Sequence, residues 1–234
     1  MAHGIICIET EWQITKRANR LNLNSEPLMK FISEMYGIPY IYRRVATKDE
    51  FQYYLHQFSK KEYANKYDII YLSFHGQTHA IHLEGEKEDL SLDELIEMGG
   101  SVFENRFVHF SSCRTLIGSS STAISFKEKT GAKLLSGYSK SVDGALSAVH
   151  DIALFGEYLQ RVRLSCIAKN MEKNFGELEK TLGFVLFKYV FLENADRLHS
   201  CPLPLCRQYS IKEVLLTKGI KQFNNLTGLL TTKL

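Results

Sequence analysis

Five short apolar runs recur along the chain, each separated from the next by a longer amphipathic or polar stretch. This alternation constrains the fold more than any other feature of the sequence. The runs are GIICIE (4–9), PYIYRRV (39–45), YDIIYLSFHG (67–76), RFVHFSSC (106–113) and AKLLSGYSKSV (132–142). The third is almost continuously apolar, as a strand buried on both faces of a parallel sheet has to be. Helical patterns fill the gaps. NSEPLMKFISEMYG (24–37) carries Asn24 or Ser25 at its start, Pro27 in its first turn and Gly37 at its end. TKDEFQYYLHQFSKKEYA (47–64) places Phe51, Tyr54, Leu55 and Phe58 on one stripe behind Thr47 and Glu50, which are spaced as a capping box. Three more helices are predicted over 91–99, 115–131 and 143–162, and a small hairpin around Gly85 in AIHLEGEKEDLSL (80–92). Strand and helix in regular alternation predict an α/β fold, a three-layer α/β/α sandwich with a mostly parallel central sheet.

The pattern changes after residue 162. A domain over 1–162 is therefore expected, followed by a mainly helical C-terminal extension, 163–234, packed on the core. Within the extension a helix is predicted from about 171 to 198, with LGFVLFKYVFL (182–192) as its buried part. HSCPLPLCRQ (199–208) is expected to be extended because of Pro202 and Pro204.

With 234 residues, 44% of them hydrophobic and 24% charged, the chain can bury a large single core and carries no signature of disorder. Twenty-nine basic against 26 acidic side chains is too even a balance to argue for nucleic acid as a partner. No run approaches the ~18 apolar residues of a membrane span. The N-terminus opens on a strand-like segment with no signal-peptide pattern. The five cysteines, Cys7, Cys113, Cys166, Cys201 and Cys206, are odd in number and irregular in spacing, which suits a reducing compartment. A cytoplasmic location is the resulting expectation.

In a parallel sheet, chemistry gathers at the carboxyl ends of the strands. Two reactive side chains fall there: His75 closes YLSFHG and Cys113 closes VHFSSC. If these strands are neighbours, a thiol and an imidazole share one rim. A free thiol is only a few per cent ionised at neutral pH, and an adjacent histidine and the positive end of a helix starting after Cys113 are two ways to raise that fraction. Gly76, lacking a side chain, can bring its N–H close to a substrate carbonyl. With the N–H of Cys113 it makes a two-donor oxyanion hole.

A strand ending in HG, a hairpin, a helix beginning SLDEL and a strand ending in SSCRT together resemble the caspase-like cysteine peptidases, the group of caspases, gingipains and separases. The likeness is nearest to the bacterial CHAT-type peptidase domains, and it covers roughly residues 1–160. It implies a caspase-like α/β sandwich in which Cys113 attacks a peptide carbonyl while His75 moves the proton. It implies a two-residue dyad, a protein or peptide substrate, no cofactor, and action as a regulated cysteine endopeptidase in bacterial defence or signalling. The single helix expected between Cys113 and the fifth strand leaves no cleavable linker, so control is expected from an activating protein partner, a ligand or homo-oligomerisation.

For substrate binding the candidates are Ser111, Tyr138 and Asp143. Several Arg- or Lys-specific members carry an acid two positions before the cysteine, where this chain has Ser111. Asp143 follows the fifth strand where members of the group line the pocket for the residue preceding the scissile bond, and it is equally placed to cap the next helix. Metal readings are weaker. His79 and His82 lie on the expected hairpin beside His75 without a completing carboxylate or thiolate, and His199, Cys201 and Cys206 lack a regular finger spacing. The rival functions are a catalytically silent caspase-like scaffold and a nucleotide-binding or phosphoacceptor domain. The latter lacks a Gly-rich first turn and an acidic cluster.

Overall fold

In the computed structural model, residues 3–12, 24–117, 120–160 and 164–188 are described. The first half of the chain forms β1 (Ile5–Thr10), α1 (Glu26–Tyr36), β2 (Tyr40–Val45), α2 (Lys48–Phe58), the single turn α3 (Lys61–Ala64) and β3 (Ile69–Ser73). Three short strands follow, β4 (His75–Gln77), β5 (Ala80–His82) and β6 (Leu90–Ser91), and then α4 (Leu92–Gly99). The second half adds β7 (Phe107–Ser111), α5 (Ser120–Thr130), β8 (Leu134–Tyr138), α6 (Gly144–Gln160), α7 (Leu164–Leu182) and β9 (Phe184–Lys188).

The long strands pair in the order β2-β1-β3-β7-β8-β9. All neighbours are parallel except β8 and β9. The central strands β1, β3, β7 and β8 bury both faces, which explains why their runs are apolar without alternation, whereas the edge strand β2 exposes Arg43 and Arg44. One face, through Ile6, Ile8, Ile70, Leu72, Val108 and Phe110, packs on Phe51 and Leu55 of α2, Leu95 of α4 and Phe126 of α5. The other, through Ile5, Ile69, Tyr71 and Phe107, packs on Met29 and Ile32 of α1, Leu154 and Phe155 of α6, and Ile167 and Met171 of α7. The fold is thus the three-layer α/β sandwich with a mostly parallel sheet. Each fully buried Phe, Leu or Ile contributes about 1.5–3 kcal/mol.

Local signals explain the starts of two helices. Thr47 and Glu50 form the expected reciprocal capping box of α2, and Ser91 and Glu94 form a second at α4, each worth about 1 kcal/mol. At α1 the Ser25 hydroxyl turns instead toward the fully buried Glu9, whose Oε1 accepts from Ser25 N (2.9 Å), Ser25 Oγ (2.7 Å) and Ser73 Oγ (3.2 Å). The Tyr42 hydroxyl donates to the other oxygen, so one carboxylate fastens β1, β2, β3 and the start of α1 together.

Beyond α6 the expected helix is displaced. α7 begins at Leu164 and ends at Leu182, and Gly183 follows in the left-handed region (φ 65°). The apolar segment read as a buried helix is, over Phe184–Lys188, strand β9, antiparallel to β8 with Phe184 opposite Tyr138. A five-residue run rich in aromatic and β-branched side chains after a glycine fits the edge of a sheet as well as a helix, and pairing with β8 decides it. Residues 171–182 of that predicted helix belong to α7, while residues 189–198, the 199–208 segment, His199, Cys201 and Cys206 lie outside the described residues.

Candidate active site

The register sets the site. Glu9 pairs with Ser73, and Ser73 with Ser111, so β1, β3 and β7 end level on one rim. β3 and β7 are direct neighbours, as the juxtaposition of His75 and Cys113 requires. Neither residue, however, is the last of its strand. After Ser73 the chain passes through buried Phe74, and His75 opens β4, the outer strand of a separate antiparallel sheet in which it faces His82 of β5. Cys113 stands in a turn beyond β7, next to Arg114 at φ 61°.

That turn is tied down on two sides. Ser112 and Thr115 share a hydrogen bond of 2.7 Å, and Thr115 Oγ1 donates to the carbonyl of Ala80 in β5 (3.3 Å). Arg114 N–H reaches Lys140 O (3.0 Å) and Leu116 N–H reaches Tyr138 O (3.2 Å), which fixes the turn to the end of β8. Because the segment around Cys113 is turn and α5 starts only at Ser120, the helix expected to aim its positive end at the sulfur does not begin there.

Gly76 and Cys113 meet backbone to backbone. A Cβ placed on Gly76 stands 1.9 Å from the Cys113 carbonyl oxygen and 2.7 Å from its nitrogen, so no other residue fits. His75, Gly76, His82, Glu88, Asp89 and Cys113 consequently line one open pocket of about 740 Å³. A larger cavity, about 980 Å³, lies between α7 and β9 and contains neither reactive residue.

Cys113 is partly exposed, and its Sγ accepts from Val142 N–H (3.4 Å) with the Val142 carbonyl 3.9 Å away. Its hydrogen bonding among the described residues is therefore to the segment after β8 rather than to His75. The His75 ring is half-exposed, stacks edge-on against Trp12 at 4.6 Å and has Nε2 3.8 Å from Glu84 Oε2. Its pKa is lowered: desolvation is the main cause, His82 opposite adds to it, and Glu84 opposes both. A lowered pKa favours the neutral ring over the charged one.

The three expected substrate contacts fare differently. Tyr138 is fully buried and its hydroxyl donates to Asp151, so it faces the core and cannot touch a substrate in the pocket. Its place on β8, two residues after buried Ser136, puts it on the same face as Leu134, toward α6 and α7. Ser111 is half-buried on that same side, 2.8 Å from the Tyr71 hydroxyl and 3.3 Å from Asp151. Asp143 is exposed and accepts from Ala145 and Leu146 N–H (3.0 Å each), the geometry of a cap on α6. No three His, Cys, Asp or Glu side chains converge on a common metal position among the described residues. His82 is paired with Asp89 at 3.0 Å.

Sequence reasoning passed over several residues. Glu84 and Val142 come to the site from loops whose course no periodicity reveals, whereas Trp12, which follows the first strand in a loop from which it could line the cleft, packs against His75. A buried polar cluster behind β7 and β8 was also missed. Asp151 of α6 accepts from Tyr71 and Tyr138, His109 Nε2 lies 3.0 Å from its Oδ1, and His109 Nδ1 contacts Ser136 (2.7 Å). His150 and Asp151, side by side in the otherwise apolar AVHDIALF, were the available signal. A charged pair within an apolar helical stretch points to a partner in the core.

No described helix is long and apolar enough to cross a membrane. Among solved structures, the chain is similar to a secreted C11 cysteine protease from Bacteroides thetaiotaomicron, determined with an irreversible peptide inhibitor, at 14% identity and a TM-score of 0.48. The match covers 76% of this chain and 59% of that protein, so the chain spans well under two thirds of its length. Comparison with curated proteins gives no match. The family model that matches, over residues 2–188, is DUF6642, described as a family of unknown function, and the chain belongs to that family.

Proposed function

We propose that this protein is a cysteine endopeptidase of caspase-like type, nearest to the CHAT-type domains, with Cys113 as nucleophile and His75 as its proton acceptor and donor. The observation that carries the reading is the backbone contact of Gly76 with Cys113, which brings imidazole and thiol to one open pocket from separate sheets. His75 takes the proton from Sγ, and the thiolate attacks the peptide carbonyl carbon. The tetrahedral intermediate collapses with cleavage of the C–N bond, and the imidazolium returns its proton to the leaving amine. Water, deprotonated by His75, then cleaves the thioester and regenerates the thiol. The N–H groups of Gly76 and Cys113 are the donors assigned to the oxyanion. The substrate is a protein whose cleavage acts as a switch in bacterial defence or signalling, with an activating partner or a second copy controlling access. Asp143 and Ser111 stay on the edge of this proposal. The first is engaged as a cap and the second faces the buried cluster, so neither supplies a basic-residue pocket.

Reaction with a panel of peptidyl acyloxymethyl ketones, read by intact mass, tests this. One adduct is expected on the unmodified protein, none on Cys113→Ala, and a rate reduced roughly 10²–10⁴-fold on His75→Ala. Failure of every ketone while Cys113 still alkylates as an ordinary thiol would favour the silent scaffold.

A further inference from the structure

We propose that Glu84 is a positioning residue for His75, fixing the ring and stabilising it when protonated, so that the site works with three groups instead of two. This rests on reading Cys113 and His75 as the reacting pair. Glu84 Oε2 lies 3.8 Å from Nε2 of His75, and the Glu84 side chain is only 15% exposed, so solvent weakly screens the interaction. The carboxylate is on the Nε2 side, which assigns Nδ1 to proton exchange with sulfur.

The loop carrying Glu84 is held far more firmly than a surface acid requires. Glu84 N–H donates to Oγ1 of Thr10 (3.0 Å), a fully buried residue at the end of β1. Gly85 N–H donates to Ala46 O (2.8 Å), and a Cβ on Gly85 would stand 2.7 Å from that oxygen, so the loop lies flush on the segment before α2. Glu86 accepts from Lys48 N–H (2.8 Å). These bonds anchor the carboxylate to the main sheet. Trp12 packs edge-on against the His75 ring at 4.6 Å, so ring orientation is set by an aromatic contact and by an acid.

The other groups facing His75 act differently. His82 stands opposite at 6.5 Å between ring centres and is itself paired with Asp89, while Lys87, Glu88 and Cys113 border the same pocket. Among the described residues, Glu84 is the acid within ion-pair distance of the ring. During the reaction the ring becomes positive as the thiolate forms, and an adjacent carboxylate favours that state.

The test follows His75 directly. Its ring signals are titrated by NMR in the unmodified protein, Glu84→Gln and Glu84→Asp, and Cys113 alkylation by iodoacetamide is measured across the same pH range. The inference expects the His75 midpoint and the alkylation profile to move to lower pH in Glu84→Gln, with Glu84→Asp in between. Ketone reaction and peptide hydrolysis should fall roughly 10–100-fold, the scale on which loss of an orienting partner of a histidine acts. A His75 midpoint unchanged in both folded variants overturns it, whatever happens to activity. If Glu84→Gln fails to fold, Glu84→Asp decides by the same criterion. A shifted midpoint in a protein that reacts with no ketone upholds the Glu84–His75 link, and the ketone experiment alone then disposes of the peptidase reading.

Discussion

Replacing Gly76 by alanine is expected to abolish the proposed peptidase activity and lower the thermal midpoint. The added methyl would stand 1.9 Å from the Cys113 carbonyl oxygen, and the obstructing atom is backbone, with no flexible end to swing away. Relief requires β4 and the Cys113 turn to separate by more than an ångström, and a misplacement of that size costs on the order of 10²-fold in rate. The turn is pinned by Thr115 to Ala80 and by Arg114 and Leu116 to the end of β8, so it cannot retreat freely. Gly176 is the contrasting control. It lies within α7, nothing stands within 4 Å of its Cβ position, and alanine there should stabilise the fold by about 1 kcal/mol without touching activity. Steady-state hydrolysis and thermal denaturation of the two variants are the measurements.

Replacing Asp151 by asparagine should produce the largest loss of stability of any single polar change. The carboxylate is fully buried, contacted by Tyr71 and Tyr138 and faced by His109 and His150, and it joins α6 to β3, β7 and β8. Removing one partner from such a cluster strands the others in the core, at a cost of about 3–5 kcal/mol. In a domain of this size that lowers the thermal midpoint by roughly 10 °C or more. The pH dependence separates charge from shape. Burial alone would raise the pKa of Asp151, but the His109 and His150 rings outweigh it and hold the group well below the ordinary carboxylate range. A depressed pKa contributes stability that is complete above the unfolded value, about 4, and is lost as pH falls from there. His150 has the opposite sign. Burial works against its charge, the acids Asp151 and Glu179 prevail, and its raised pKa gives stability that is complete below about 6.5 and lost as pH rises. Thermal denaturation between pH 3 and 8 should show a steeper acid limb in the unmodified protein than in Asp151→Asn. Parallel limbs would mean that Asp151 acts through packing alone.

The central strands were legible because a strand buried on both faces must be apolar almost throughout. That His75 and Cys113 line one pocket was foreseeable because residues just beyond the ends of neighbouring strands share a rim, and β3 and β7 do pair. What escaped was the path of the chain between elements. Two residues after β3 the backbone has already entered a second sheet, so His75 meets Cys113 from a hairpin, a change of course that the unbroken apolar run through Phe74 concealed. Tyr138 was misplaced for a related reason. At the end of β8 the side chains alternate between a rim and a core, and the polar cluster around Asp151 makes the core side hospitable to a hydroxyl. β9 was taken for a helix because four consecutive apolar residues carry too little periodicity to separate the two periods.

The claim that Cys113 and His75 form a peptide-cleaving site is tested most directly by exposing the purified protein to a library of peptides from a digested proteome and sequencing the new termini. The account predicts new cleavage sites with the unmodified protein and none with Cys113→Ala folded to the same thermal midpoint. Cleavage that persists without the thiol, or a library left intact by a protein whose Cys113 also fails to react with every peptidyl ketone, would contradict it.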